Sequence, residues 1–170
     1  DTPDGSIVDS YGCSDSQKDT DGDGVTDDLD GCADTPEVAM VDENGCELIF
    51  IYLDENGITI KASEDAVVGE NYELDGISYL VIDSAMLYQM VDESADVSKV
   101  VTTKISRMLY LFSDSTDQSF NQDISSWNVS SVTSMDDMFN GATDFNQNLT
   151  SWSVVGIAST GPTDFNTSSA

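Results

Sequence analysis

The most informative stretch of the chain is "FNQDISSWNVSSVTSMDDMF", residues 120–139, because parts of it occur again. Its first half returns as "FNQNLTSWSV" at residues 145–154, an offset of 25 residues. Its second half, "VTSMDDMF", has a copy upstream in "ISRMLYLF" at residues 105–112, an offset of 27. A unit of about 25 residues cannot bury a core alone, so the copies are predicted to pack against one another.

The pattern within each unit predicts which side chains are buried. One set of apolar residues fits a single helical face, and it consists of Val132, Met135, Met138, Phe139 and Ala142. Trp127 and Val129 alternate as the inward positions of a short strand would. Equivalent aromatic residues are expected to form ladders between neighbouring repeats, Trp127 with Trp152 and Phe120 with Phe145.

These repeated segments resemble the BspA-type leucine-rich-like repeats of bacterial surface proteins, over about residues 96–157. The resemblance implies a short leucine-rich-like solenoid stack that ends in a C-terminal cap, so residues 96–170 are assigned to it. The resemblance therefore implies a secreted or surface-anchored protein of adhesion and recognition. It implies no catalytic residues.

Residues 47–95 are predicted to form a small β-rich linking unit with one helix. The turn signals Asn56-Gly57 and Asp75-Gly76 each lie between two β-prone runs and predict two hairpins. A helix is expected to begin at a capping Asp83 or Ser84, because the apolar residues that follow have helical spacing. Those residues are Leu87, Met90 and Val91.

The segment "DTDGDGVTDDLD", residues 19–30, has the ligand order of a twelve-residue calcium loop. Carboxylates occupy loop positions 1, 3, 5, 9 and 12, glycine occupies position 6, and position 7 would offer a backbone carbonyl. Ca²⁺ takes six to eight oxygen ligands, which a short loop supplies by folding around the ion. The predicted metal ligands are therefore Asp19, Asp21, Asp23, Val25, Asp27 and Asp30.

The flanks of this loop are repeated at an offset of 33, which places "DTP…VDSYGC" over "DTP…VDENGC". Residues 1–46 resemble a thrombospondin type 3 repeat of the bacterial kind, a calcium- and disulfide-stabilised segment with almost no hydrophobic core. Within this repeat Cys32 is expected to pair with Cys46, and a bridge between Cys13 and Cys32 is the alternative. Either bridge implies an oxidising compartment.

Composition narrows the class of protein. The chain of 170 residues carries 33 Asp and Glu against 5 Lys and Arg, a formal net charge of -28. Such a polyanion is repelled by nucleic acid and by anionic lipid, so neither is an expected partner. No apolar run approaches the length of about 20 residues that a membrane helix needs, so direct membrane insertion is not expected. With no histidine and no nucleophile motif, catalysis is not expected either.

The sequence thus predicts a mixed, mainly β and irregular chain in three parts, residues 1–46, 47–95 and 96–170. The first hypothesis is a non-enzymatic protein of the extracellular space or bacterial cell surface, a calcium-stabilised stalk with a repeat domain for adhesion or surface assembly. Its expected partners are an extracellular protein or glycan, or copies of itself. The alternatives are the subunit of an extracellular filament and the accessory region of a larger secreted enzyme.

Overall fold

The computed structural model describes residues 2, 5–113 and 119–157. The chain divides into two compact units, Asp1–Ile49 and Phe50–Ala170. The first boundary lies close to the one predicted after residue 46. The second predicted boundary, after residue 95, is not a division in the structure, and the strand pairing described below explains why.

The first unit consists largely of turns. Its described residues include a 3-10 helix, Asp15–Gln17, and an isolated antiparallel bridge between Val41 and Glu47. None of its described apolar side chains is buried, and Ile7 and Val38 are 94% and 93% exposed. Hydrogen bonds and a disulfide therefore hold this unit, as described under the candidate site.

The second unit begins with two hairpins. Strands β1 (Ile51–Leu53) and β2 (Ile60–Ala62) are antiparallel, and so are β3 (Asn71–Leu74) and β4 (Ile77–Val81). The turn between β3 and β4 has positive φ at both central residues, 51° at Asp75 and 75° at Gly76. That conformation is the type I′ turn that Asp-Gly favours. The antiparallel pairing of β1 with β2 and of β3 with β4 confirms both predicted hairpins.

Helix α1 (Ser84–Asp92) follows, and the Asp83 side chain caps it by accepting a hydrogen bond from the Met86 backbone N–H at 2.9 Å. Strand β5 (Val100–Val101) then pairs in parallel with β4. Because β5 lies beyond residue 95 and joins the sheet of the preceding segment, the middle segment and the repeats fold as one body. This parallel crossover is the reason the three predicted parts become two units.

A continuous apolar core runs from α1 into the repeats. It includes Leu87 of the helix and Ile105, Trp127 and Met135 of the repeats, all 0% exposed. A second, smaller cluster lies under the hairpins and includes Ile51, Ile60 and Val101. The helix and the sheet thus bury the apolar surface that the short repeats could not bury alone.

The repeats themselves contain turns where the sequence predicted a helical face and a strand. The predicted helical set is buried, at 0 to 5% exposure, but residues 132–142 form no helix. Their i to i+3 spacing comes from successive tight turns, in which Met138 N–H donates to Met135 C=O at 3.2 Å and Ala142 N–H to Phe139 C=O at 3.0 Å. Successive tight turns and a helix both bury residues that are three to four positions apart. The apolar periodicity therefore predicted a helix where the structure has turns.

Other backbone groups of these segments bond across the repeats instead of along a helix. Phe112 N–H donates to Met138 C=O at 2.8 Å, and Met108 N–H donates to Ser134 C=O at 2.9 Å. The predicted strand alternation at Trp127 is also wrong, because Asn128 is 5% exposed and is buried together with its two neighbours. Asn128 is tolerated there because its side chain is hydrogen-bonded to Thr103 and Ser130.

Both predicted aromatic ladders are confirmed. The rings of Trp127 and Trp152 are stacked at 6.2 Å with 6° between their planes, and those of Phe120 and Phe145 at 5.9 Å with 11°. Each indole also donates its N–H to a backbone carbonyl of the preceding segment, Trp127 to Val97 and Trp152 to Ile124, both at 3.0 Å. The repeats are therefore joined by hydrogen bonds as well as by ring contacts.

Candidate metal centre

Three carboxylates converge at the start of the aspartate-rich loop. Asp19, Asp21 and Asp23 each place an oxygen within 4.8 Å of the others. The loop turns around Asp19, whose carboxylate accepts hydrogen bonds from Gly22 N–H at 2.8 Å and Gly24 N–H at 3.0 Å. Loop positions 1, 3 and 5 therefore lie together, as their spacing predicts.

Asp23 carries an unpaired buried oxygen. Its Oδ1 accepts a hydrogen bond from Val25 N–H at 2.8 Å, whereas its Oδ2 is buried and has no hydrogen-bond partner. A buried carboxylate oxygen without a partner costs free energy, which a bound cation would offset. Asp23 Oδ2 is therefore available as a ligand atom for a cation.

Asp30, at loop position 12, shares a small space with Asp23 above Gly45. A Cβ atom placed on Gly45 would come within 2.9 Å of Asp23 Oδ2 and would also collide with Asp30 Oδ1. Gly45 has a φ of +74°, so both its conformation and its surroundings require glycine. Asp30 Oδ1 also accepts a hydrogen bond from Cys32 N–H at 2.7 Å.

Asp27, at loop position 9, is hydrogen-bonded within the loop itself. Its two oxygens accept hydrogen bonds from the N–H and the hydroxyl of Thr20, both at 2.8 Å. Its backbone N–H donates to Lys18 C=O at 2.9 Å. Asp27 thus closes the loop and is not among the three converging carboxylates, and in twelve-residue calcium loops position 9 often reaches the ion through water.

Thr35 supports the site from outside, and sequence reasoning gave it no role. Its N–H donates to Asp21 Oδ2 at 2.8 Å, and its hydroxyl lies 2.7 Å from Gly45 C=O and 2.9 Å from Cys32 C=O. It is 7% exposed. The signal was present in the repeat, because Thr35 aligns with Thr2 at the offset of 33.

The disulfide joins Cys32 to Cys46, with 5.1 Å between the Cα atoms and a sequence separation of 14. The preferred pairing is therefore confirmed. The alternative bridge between Cys13 and Cys32 is wrong, because Cys13 is free. The bridge anchors the end of the aspartate loop next to the turn that contains Gly45.

The repeat of 33 residues is visible in the hydrogen bonds. Asp9 accepts from the N–H groups of Tyr11 and Cys13 at 2.9 and 3.0 Å. Its counterpart Asp42 accepts from those of Asn44 and Cys46 at 2.8 and 3.1 Å. In both cases the backbone donors stabilise the carboxylate and hold its pKa below the ordinary value of 3.8.

The donor set of the site is chemically uniform. Every side chain that converges on it offers carboxylate oxygen, and the chain contains no histidine. Hard divalent cations such as Ca²⁺ and Mg²⁺ prefer such ligands, whereas zinc prefers nitrogen and sulfur. The residues present therefore fit a hard divalent cation, with Ca²⁺ favoured by the loop pattern.

The comparisons with known proteins bear on the second unit. Residues 83–166 match a family model described as "Mycoplasma protein of unknown function, DUF285". This match begins at the cap of α1 and covers the repeats, a little under half of the chain. Neither the curated proteins nor the solved structures gave a match. The resemblance of residues 1–46 to thrombospondin type 3 repeats stays a prediction.

Among the residues that the structure describes, no helix combines the length and the apolar character that crossing a membrane requires.

Proposed function

We propose that this chain is a non-enzymatic protein of the extracellular space or bacterial cell surface. In this proposal residues 1–46 form a calcium-stabilised stalk, and the repeat unit mediates adhesion or surface assembly. The observation that carries the proposal is the unpaired buried Oδ2 of Asp23 beside converging carboxylates. The match of residues 83–166 supports a repeat protein of the kind found at surfaces.

In the proposed site the ion is held by Asp19, Asp21 and Asp23, with Asp30 as the carboxylate at loop position 12. The Val25 carbonyl completes the set at position 7, and Asp27 acts through water. Calcium would neutralise carboxylates that repel each other in its absence. Since the first unit has no buried apolar side chain among its described residues, the ion and the disulfide would supply much of its stability.

The calcium proposal is tested by titration calorimetry of the intact protein with CaCl₂, and with MgCl₂ for comparison. Asp23→Asn should weaken calcium binding at least about tenfold, because it removes a charged ligand. Asp28→Asn is the matched control, since Asp28 is exposed, lies in the same loop, and bonds to Thr26. Absence of heat from calcium, or equal effects of the two substitutions, would contradict the proposal.

A second candidate function is the subunit of an extracellular filament. The specific observation is Cys13, which aligns with the disulfide-bonded Cys46 at the offset of 33 and yet is free. A neighbouring copy could supply its partner. Electron microscopy in calcium should then show fibres that Cys13→Ser shortens or abolishes, whereas discrete particles from both proteins would contradict the filament.

A further inference from the structure

A polar cleft lies in the second unit, between the β1–β2 turn and the repeats. Its volume is about 130 Å³, which is room for several water molecules or one small ligand group. Asp54 and Lys61 line it from the hairpin, Ser151 and Ser153 line it from the last repeat, and Trp127 lines it as well.

The walls of the cleft are fixed relative to each other. Ile60 N–H of β2 donates to Ser126 C=O at 2.8 Å, and Asn56 Nδ2 reaches Ser151 C=O at 3.4 Å. The side-chain oxygen Oδ1 of Asn56 in turn accepts hydrogen bonds from Ile58 and Thr59 N–H, both at 2.9 Å. A ligand would therefore meet a preorganised site and would not have to order the turn.

The cleft is electrically neutral in a strongly acidic protein. Its charged lining residues are Asp54 and Lys61, which form an ion pair at 2.9 Å with about a quarter of each side chain exposed. The Lys61 hydrogen bond holds the pKa of Asp54 below its ordinary value of 3.8, so this carboxyl stays ionised at neutral pH. A net charge of -28 elsewhere opposes anionic ligands, and the paired cation leaves no surplus charge to attract them.

The lining offers hydrogen-bond donors and acceptors side by side. The Lys61 ammonium has three N–H groups and uses one on Asp54, which keeps further acceptor capacity. The Ser151 hydroxyl donates to Ser125 C=O at 2.6 Å, which leaves its oxygen able to accept. Ser153 is exposed. Groups that donate and accept at the same position, as hydroxyls do, match such a lining best.

Trp127 contributes to the shape of the cleft but offers no exposed aromatic face. Trp127 is 0% exposed, its ring is stacked on Trp152, and its N–H is bonded to Val97 C=O. Recognition in this cleft therefore depends on hydrogen bonds and not on stacking against a ring. The cleft therefore suits one unit at the end or at a branch of a hydroxylated chain.

We propose that this cleft binds a neutral sugar residue of a glycan, with adjacent hydroxyls bridging the Asp54 carboxylate and the Lys61 ammonium. The proposal rests on the adhesive role proposed above and names its ligand class. A hydroxyl donates to Asp54 while its neighbour accepts from Lys61, and the serines contact the rest of the ring. No covalent step is involved.

The test uses the intact protein on an array of neutral, sialylated and sulfated glycans. The best neutral glycan is then titrated while tryptophan fluorescence is followed, since Trp127 lines the cleft. Binding restricted to neutral glycans is expected. Lys61→Met should lower the affinity about tenfold or more, the equivalent of one charged hydrogen bond. Lys99→Met, at an exposed lysine outside the cleft, is the matched control and should leave the affinity unchanged.

A second variant is needed to distinguish a loss of glycan binding from a folding defect caused by the substitution of Lys61. Ser153→Ala alters an exposed side chain, so it should weaken glycan binding while the melting curve stays unchanged. Absence of neutral glycan binding, a preference for acidic glycans or peptides, or affinities unaltered by both variants would overturn the proposal. Beads coated with the protein distinguish the glycan site from the adhesive role. If the beads adhere to cells but the protein binds no neutral glycan, the glycan site in the cleft is overturned and the adhesive role is not. If the beads do not adhere, the adhesive role is overturned.

Discussion

The two units of this chain are stabilised in different ways. The first unit buries Ser14 and Thr35 but no described apolar side chain, and it relies on turns, carboxylate hydrogen bonds and the bridge between Cys32 and Cys46. The second unit has a continuous apolar core with stacked aromatic rings. Burial of apolar surface is the dominant favourable term in folding, so a unit without it needs covalent or ionic support.

Because the two units differ in what stabilises them, they should respond to different perturbations. The second unit should respond to the loss of buried volume and should be indifferent to calcium and reducing agent. The first should respond to chelation, reduction and acid, and should tolerate changes of its exposed apolar residues.

The largest effect is expected from Trp127→Ala. The substitution removes a fully buried ring that contacts Trp152, and aromatic truncations of this kind cost about 3 to 5 kcal/mol. That is comparable with the whole stability of a small domain, so the second unit should unfold or melt far earlier. Thermal melting followed by the fluorescence of Trp152 measures this.

Tyr11→Ala is the control, because Tyr11 is an aromatic residue that is 90% exposed in the first unit. Its melting curve should match the unaltered chain. Calcium binding should survive in the Trp127 variant. An unchanged environment of Trp152 in that variant would refute the packing of neighbouring repeats against one another.

The next effect is expected from the double variant Cys32→Ser, Cys46→Ser. The bridge closes a loop of about 15 residues, for which chain entropy gives about 3 kcal/mol. Limited proteolysis should become faster within residues 13–46 and should stay unchanged in the second unit. Cys13→Ser is the matched control, since Cys13 is free and its loss should leave both units intact.

A smaller effect is expected from Gly45→Ala. Both Gly45 and its repeat counterpart Gly12 have positive φ, so alanine costs about 1 kcal/mol of backbone strain at either position. Only at Gly45 would the new Cβ press on the carboxylates of Asp23 and Asp30, whereas nothing lies within 4 Å at Gly12. Calcium titration should therefore show weaker binding for Gly45→Ala than for Gly12→Ala. Equal affinities would place the ion elsewhere.

The smallest effect concerns acid. The backbone N–H groups of Asn44 and Cys46 hold the pKa of folded Asp42 below 3.8, its ordinary value. A depressed folded pKa adds stability that is complete above the unfolded value and is lost as pH falls through the folded one. In chelator, protection of the Asn44 amide should decline below pH 3.8. In the Asp42→Asn variant the side chain keeps an acceptor oxygen that does not titrate. Protection of the Asn44 amide should therefore decline less steeply as the pH falls. Identical protection curves for the two proteins would contradict this.

Local signals predicted the local structure well. Asn56-Gly57 and Asp75-Gly76 predicted the hairpins, and Asp83 predicted the start of α1, because each acts through backbone bonds to near neighbours. The parallel pairing of β4 with β5 was not predictable in this way. Strand β5 has two residues, and its pairing depends on the distant core that it joins.

The candidate site shows the same limit. Spacing alone predicted that Asp19, Asp21 and Asp23 converge, because they are near in sequence. Spacing gave no indication that both carboxylate oxygens of Asp27 accept hydrogen bonds from Thr20. The contributions of Thr35 and Gly45 come from outside the loop, and the repeat offered only the hint that both residues recur.

We propose that calcium stabilises the first unit and leaves the stability of the second unit unchanged. Hydrogen exchange followed by mass spectrometry, with calcium and with chelator, tests it in one experiment. Calcium should slow exchange in residues 19–46 and leave the peptides of the second unit, such as residues 120–139, unchanged. Equal exchange of residues 19–46 in the two conditions, or a calcium effect confined to the repeats, would contradict the claim.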